Sequence, residues 1–147
     1  MKFKKFESEL GWFSVMIPCS WEEYKDDEGT YAFFDPSKWK GNFRITPLLF
    51  NGSEVVDEGK AQRLLESQIE KNSNSSIMRL GEYECAHYKV HILENKEGGS
   101  VIYYWIIAKN NYLFTFSYTT DNDKEFLPEV INEMEFAEKS IASLMTN

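Results

Sequence analysis

The chain has 147 residues, 42% of them hydrophobic and 16% aromatic, and a formal charge of −8. That length and composition suit one domain over residues 1–147 with a core of its own, and the negative charge argues against nucleic-acid binding, which rests on Lys and Arg displacing phosphate counterions. Two cysteines, Cys19 and Cys85, form neither a Cys-x-x-Cys pair nor a disulfide framework, so both read as buried reduced thiols.

Lys2, Lys4 and Lys5 open the chain, but Glu7 and Glu9 follow at once and no apolar run of signal-peptide length comes after them, so the expected location is the cytoplasm. Residues 2–8 are expected to form a hairpin with Trp12 to Ile17, turning at Glu9, Leu10 and Gly11. Pro18 ends the second arm because it has no amide hydrogen for a ladder. Asp26, Asp27, Glu28 and Gly29 read as a turn, and strands follow at 30–34 and 42–50 around the loop 35–41.

Beyond Asn51, Gly52 and Ser53 the apolar period changes from two to nearly four. Val55, Val56, Ala61, Leu64, Leu65 and Ile69 fall on one stripe of a helix, with Ser53 as its expected cap and Gly59 weakening it by about 1 kcal/mol. The polar run 71–76 ends it. Ala86, Tyr88, Val90 and Ile92 then alternate with Cys85, His87, Lys89 and His91, the period of a strand with one buried and one wet face. Residues 101–108 and 112–119 make a hairpin whose first arm is apolar on both sides, which predicts a central strand covered twice.

The closing helix is expected to start at Asn122, with Glu125 completing a capping box and Pro128 tolerated in the opening turns. Its predicted inner stripe is Phe126, Leu127, Val130, Ile131, Met134, Ala137, Ile141 and Leu144, with Glu129, Glu133, Glu135 and Glu138 facing water.

The motif Phe13-x-Val15-x-Ile17-Pro18-x-x-Trp21, the order of strands, helix, three strands and helix, and the terminal Lys139-Ser140-Ile141 together resemble the PsbP and Mog-like superfamily over nearly the whole chain. The resemblance implies an α+β fold, an antiparallel sheet of about six strands flanked by helices in an α/β/α sandwich. It also implies a mostly non-catalytic, protein-binding way of working, and it points to an uncharacterised bacterial branch with DcrB-like relatives. Fold likeness alone names no partner.

Residues with possible chemistry have simpler explanations. On one strand, His87 and His91 attach about 13 Å apart, too far to grip one ion, so both are expected to be solvent-facing and no metal site is expected. No nucleophile elbow, phosphate-cradling glycine loop or complete calcium loop is present. The expectation is therefore a protein that is not an enzyme and needs no cofactor. Trp39, between two lysines, is the candidate interface anchor, weighed against folding back onto the sheet. Tyr24 among Glu22, Glu23, Asp26, Asp27 and Glu28 is the candidate face for a basic partner, while Trp12, Trp21 and Trp105 read as core. The leading expectation is a protein-binding module, an immunity protein or chaperone for a basic toxin or effector, with its oligomeric state open. The alternative is a small-molecule-binding or weakly enzymatic domain, its pocket between sheet and helix and lined by Tyr103, Trp105, Tyr112 or Phe114.

Overall fold

The computed structural model describes residues 2–25, 30–49, 58–71, 74–95, 98–109 and 112–146. The chain opens with a hairpin, β1 (Phe3–Glu7) and β2 (Phe13–Pro18), followed by β3 (Glu22–Lys25), β4 (Tyr31–Phe34), β5 (Asn42–Leu49) and α1 (Glu58–Lys71). Four strands come next: β6 (Ser76–Leu80), β7 (Tyr83–Asn95), β8 (Gly98–Lys109) and β9 (Tyr112–Asp121). A 3-10 turn (Asn122–Lys124), α2 (Pro128–Ala142) and a short β10 (Met145–Thr146) complete it. The main sheet has the order β3-β4-β5-β9-β8-β7-β6, and β1, β2 and β10 form a separate small sheet.

The mixed α+β class and the antiparallel sheet of about six strands agree with the reading of the sequence: the main sheet has seven. The opening hairpin forms, with Phe6 opposite Val15, but it pairs with β10 rather than joining the main sheet. Meanwhile β3 and β6, short and polar or preceded by a polar run, extend that sheet at its two ends.

Pairing sets the two faces of the main sheet. The inner face carries Phe33, Phe43, Ile45, Phe114, Phe116, Tyr118, Trp105, Ile107 and Cys85, all nearly inaccessible. The small sheet and α2 cover it: Phe13 meets Phe114 with ring centres 5.3 Å apart, Phe6 meets Phe33 at 5.1 Å, and Val130, Ala137 and Ile141 of α2 belong to the same core. Among the described residues α1 covers the outer face over a small cluster of Leu65, Ala86, Ile106 and Leu113, with Leu64 and Ile69 packed against it. Consequently β7 has no simple wet side. Cys85 and Ala86 are both buried, whereas Val90 and Ile92, expected inside, are exposed because the strand outruns its cover. On the inner face, Trp105 is the cross-strand partner of His87. That histidine is half-buried rather than solvent-facing, its ring stacked 5.1 Å from the indole, while His91 is exposed. Trp21 and Trp105 are core; Trp12 is not. Cys85 is buried, and Cys19, expected inside, is exposed after the Pro18 turn.

The last helix starts later than expected. Pro128 occupies its first turn and Leu127 is extended with no side-chain cap bond, because a residue before proline avoids helical geometry. Asn122 and Glu125 therefore do not cap α2. Its buried stripe becomes Val130, Glu133, Ala137, Ser140 and Ile141, which places Phe126, Leu127 and Ile131 outside and Glu133 inside. The predicted helix start at Ser53 and the turn 26–29 lie outside the described residues.

The buried Glu133 ties α2 to the sheet. Its Oε1 accepts a 2.7 Å hydrogen bond from the Tyr118 hydroxyl, and its Oε2 lies 3.7 Å from Lys40 Nζ. Lys40 also reaches Asp35 at 3.3 Å, and its carbonyl accepts a 2.6 Å bond from Thr120, which fixes the loop between β4 and β5. Gly41 is required there: a Cβ would lie 2.5 Å from the Tyr118 ring and hydroxyl and 2.7 Å from the Thr119 carbonyl. Gly41→Ala should therefore destabilise the fold by roughly 1–3 kcal/mol, read from the midpoint of chemical denaturation.

Burial raises the Glu133 carboxyl above its ordinary value of 4.5, although Tyr118 and Lys40 pull it back. The native state then holds a proton that the unfolded chain releases, so stability falls as pH rises from about 4.5 through the raised native value. Glu133→Gln keeps an acceptor for Tyr118 and should gain in melting temperature on the wild type as pH rises from about 4.5 to 7. Glu133→Leu should be less stable at every pH because it orphans the buried hydroxyl.

Candidate functional site

The hairpin brings carboxylates to the margin of the sheet. Its turn is built by Ser8, whose Oγ accepts from the amides of Trp12 (2.9 Å) and Phe13 (3.2 Å), and by Gly11 at φ 68°, a conformation that suits glycine. Phe6 anchors the hairpin edge-on against Tyr31 and Phe33, ring centres 5.1 Å apart in each case. Between hairpin and sheet this leaves a cleft of about 280 Å³ lined by Phe6, Glu7, Glu9, Glu23, Tyr24 and Tyr31. The pairing of Glu23 with Phe33 puts Glu23 on the inner side of β3, the terminal strand of the main sheet. Tyr24 borders the cleft, its ring 5.6 Å from Phe34 and its hydroxyl accepting from Arg44 at 3.3 Å.

Thus two of the candidate residues, Glu23 and Tyr24, share a cleft, on a strand rather than the expected loop. Glu7 and Glu9 join them only because β1 folds over β4, which no local pattern announces. Asp26 and Asp27 lie outside the described residues. Trp39 is elsewhere: it lines a hollow of about 160 Å³ with Lys38, Lys40, Lys124, Leu127, Glu129 and Val130. Its indole is 40% exposed, donates to Asn42 at 3.2 Å and lies under Lys124 Nζ at 5.5 Å. The expected aromatic and acidic surface therefore divides in two, and the Trp39 side is rich in lysine.

A polar seam runs where β7 and β8 meet the entry to α2. Lys89 Nζ lies 2.9 Å from the buried Glu125 carboxylate, which also accepts from the Tyr103 hydroxyl. Burial pushes the Glu125 carboxyl up, but Tyr103 and Lys89 outweigh it and the net shift is downward. Tyr103 is raised by burial and by Glu125. His91 Nδ1 lies 2.9 Å from Asn122 Oδ1, and His87 Nδ1 donates to the Tyr104 carbonyl at 2.9 Å. Glu138 is raised by burial and drawn back by Trp105 and His87. The Cys85 thiol is pushed up to about 12 by burial and by the Glu138 charge, which suppresses the reactive thiolate. At Glu125 a carboxylate with two donors closes the α2 entry onto the sheet. Among the described residues no three His, Cys, Asp or Glu side chains cluster as metal ligands. Of the rings considered for a ligand pocket, Trp105, Tyr112 and Phe114 are core and Tyr103 packs against it.

No curated protein matches the sequence. Among solved structures, the chain is similar to a protein from Bacteroides thetaiotaomicron VPI-5482, with 28% identity and a TM-score of 0.80 over 100% of this chain and 49% of that one. The chain thus spans about half the length of that relative. It is also similar in fold to cyanobacterial PsbP from Synechocystis sp. PCC 6803, with 11% identity, a TM-score of 0.55 and coverage of 99% and 92%. A point mutant of the protein Mog1 gives 11% identity, a TM-score of 0.59 and coverage of 99% and 96%. These likenesses establish a PsbP/Mog-like fold. A family model described as Domain of unknown function (DUF3805) matches residues 1–146, and the chain belongs to that family.

Proposed function

We propose that this chain is a non-catalytic protein-binding module whose partner presents a basic segment. The observation that carries the reading is the cleft that Glu7, Glu9 and Glu23 line together with Phe6, Tyr24 and Tyr31. Glu7 also meets Lys5 at 2.9 Å, but both side chains are 61% exposed, and a solvated pair of that kind yields readily to a better-placed cation. Glu7 and Glu23 beside aromatic walls suit a Lys or Arg side chain, whose charge meets the acids while its aliphatic stem lies on the rings. Among the described residues β3 is the end strand of the main sheet, an edge along which an extended segment can align. A chain charge of −8 steers such a partner in from a distance. In the bacterial cytoplasm this chemistry serves an immunity protein or chaperone that covers a basic toxin or effector domain.

The reading is tested by retention of host proteins on immobilised wild-type chain at low salt, compared with Glu7→Lys/Glu23→Lys and with a Lys38→Glu control. A basic partner should be retained by the wild type and the control and weakened about tenfold, the equivalent of ~1.4 kcal/mol, by the double reversal. Retention that ignores the double reversal, or no partner at any salt concentration, would reject it.

A further inference from the structure

We infer that the end of the main sheet at the corner between β6 and β7, beneath α1, carries a second, separate binding site for a small organic carboxylate with an apolar body. Beneath α1, at the corner where β6 turns into β7, lies a cavity of about 510 Å³, within the range of small-molecule sites. Its origin is legible in the residues. Ala86 and Ala108 face α1 where larger side chains would fill the space, so Leu65, Ile69 and Ile77 line a recess instead of closing it.

Two cations stand at this recess with donors to spare. Lys109 Nζ donates to the Tyr83 hydroxyl at 3.1 Å and, among the described residues, reaches one acid, Glu82, at 3.8 Å. The Tyr83 hydroxyl is itself committed as a donor to the Leu144 carbonyl, and its ring lies 5.0 Å from Lys109 Nζ, so the ammonium is held in place. Arg79 meets Glu84 at 3.8 Å. Both glutamate side chains are 72% exposed, and long, solvated pairs of this kind hold their partners weakly. An ammonium has three donors and a guanidinium five. A carboxylate entering the cavity can therefore take hydrogen bonds that the glutamates leave unused, while its hydrocarbon covers the alanine floor. A ligand with a cationic head lacks this match, because both acids stand largely in water at the rim and each already has a cation beside it.

Decanoate, decanol and decyltrimethylammonium, each below its micellar concentration, are the probes, with calorimetric titration and thermal melting as readouts. Decanoate should bind and raise the melting temperature, and the other two should bind at least tenfold more weakly. Arg79→Gln/Lys109→Met should weaken decanoate at least tenfold, and Ala108→Leu should abolish binding by filling the recess. Decanoate that fails to bind, decanol that binds equally well, or charge-variant binding at wild-type strength would each overturn the proposal. Should Ala108→Leu melt too early to be titrated, the charge variant and the head-group series decide it.

Discussion

The structure depends on one row of rings. Along β9, alternate residues Tyr112, Phe114, Phe116 and Tyr118 point to the inner face, where neighbouring rings stack 5.2 Å apart for Tyr112 and Phe114 and 6.2 Å apart for Phe114 and Phe116. Because β9 lies between β5 and β8, this row meets Phe43 and Ile45 on one side and Trp105 and Ile107 on the other. Full burial of each such side chain stabilises by about 1.5–3 kcal/mol. The hairpin and α2 then have one possible place to put their own apolar sides. Phe13 against Phe114 joins the small sheet to the large one, and a one-residue slip in β9 would turn the whole row to the opposite face.

The same row ends in a hydroxyl, and that hydroxyl organises the polar part of the molecule. Tyr118 cannot be buried without a partner, and Glu133 provides it from α2. Glu133 in turn draws Lys40 and its loop inward, and the close packing of that loop on Tyr118 leaves room only for Gly41. At the other end of the α2 entry, Glu125 does the equivalent work through Lys89 and Tyr103. Two buried carboxylates thus seat one helix, each satisfied by a tyrosine and a lysine. Their opposite shifts follow from burial and neighbouring charge: burial prevails at Glu133, where Asp35 adds to it, whereas at Glu125 the hydrogen bonds of Tyr103 and Lys89 and the charges of Lys89 and His91 outweigh it.

What the sequence disclosed divides along the same line. Runs of β-branched and aromatic residues identified β2, β4, β5 and β9, because burial on the inner face demands them, and β8 stood out as a run apolar on both sides. The helical stripe in α1 was legible for the same reason. The strands β3 and β6 were not, since each is short and lies at a sheet end where polar residues are tolerated. The start of α2 was misread because Asn122 and Glu125 imitate a capping box, while Pro128 forces the extended residue that delays the helix. Of the candidate site, Glu23 and Tyr24 could be picked out from a local run of charge. Glu7 and Glu9 enter through the fold of the hairpin over β4, and a tertiary approach of that kind leaves no mark on local spacing.

The two faces of the sheet consequently do different work. The inner face is filled by rings from three directions, and its polar groups are consumed in holding α2, so little of it is free to meet another molecule. Among the described residues the outer face is held at one end by α1 through four buried side chains, two of them at 6% and 8% exposure. A thin contact over small side chains leaves a recess, and a thick aromatic core on the other side keeps the fold intact without it. Recognition then falls to the margins: the acidic cleft beside β3, where the hairpin stops short of closing, and the cavity beside β6, where α1 does. Both lie at ends of the sheet because the middle has no surface to spare.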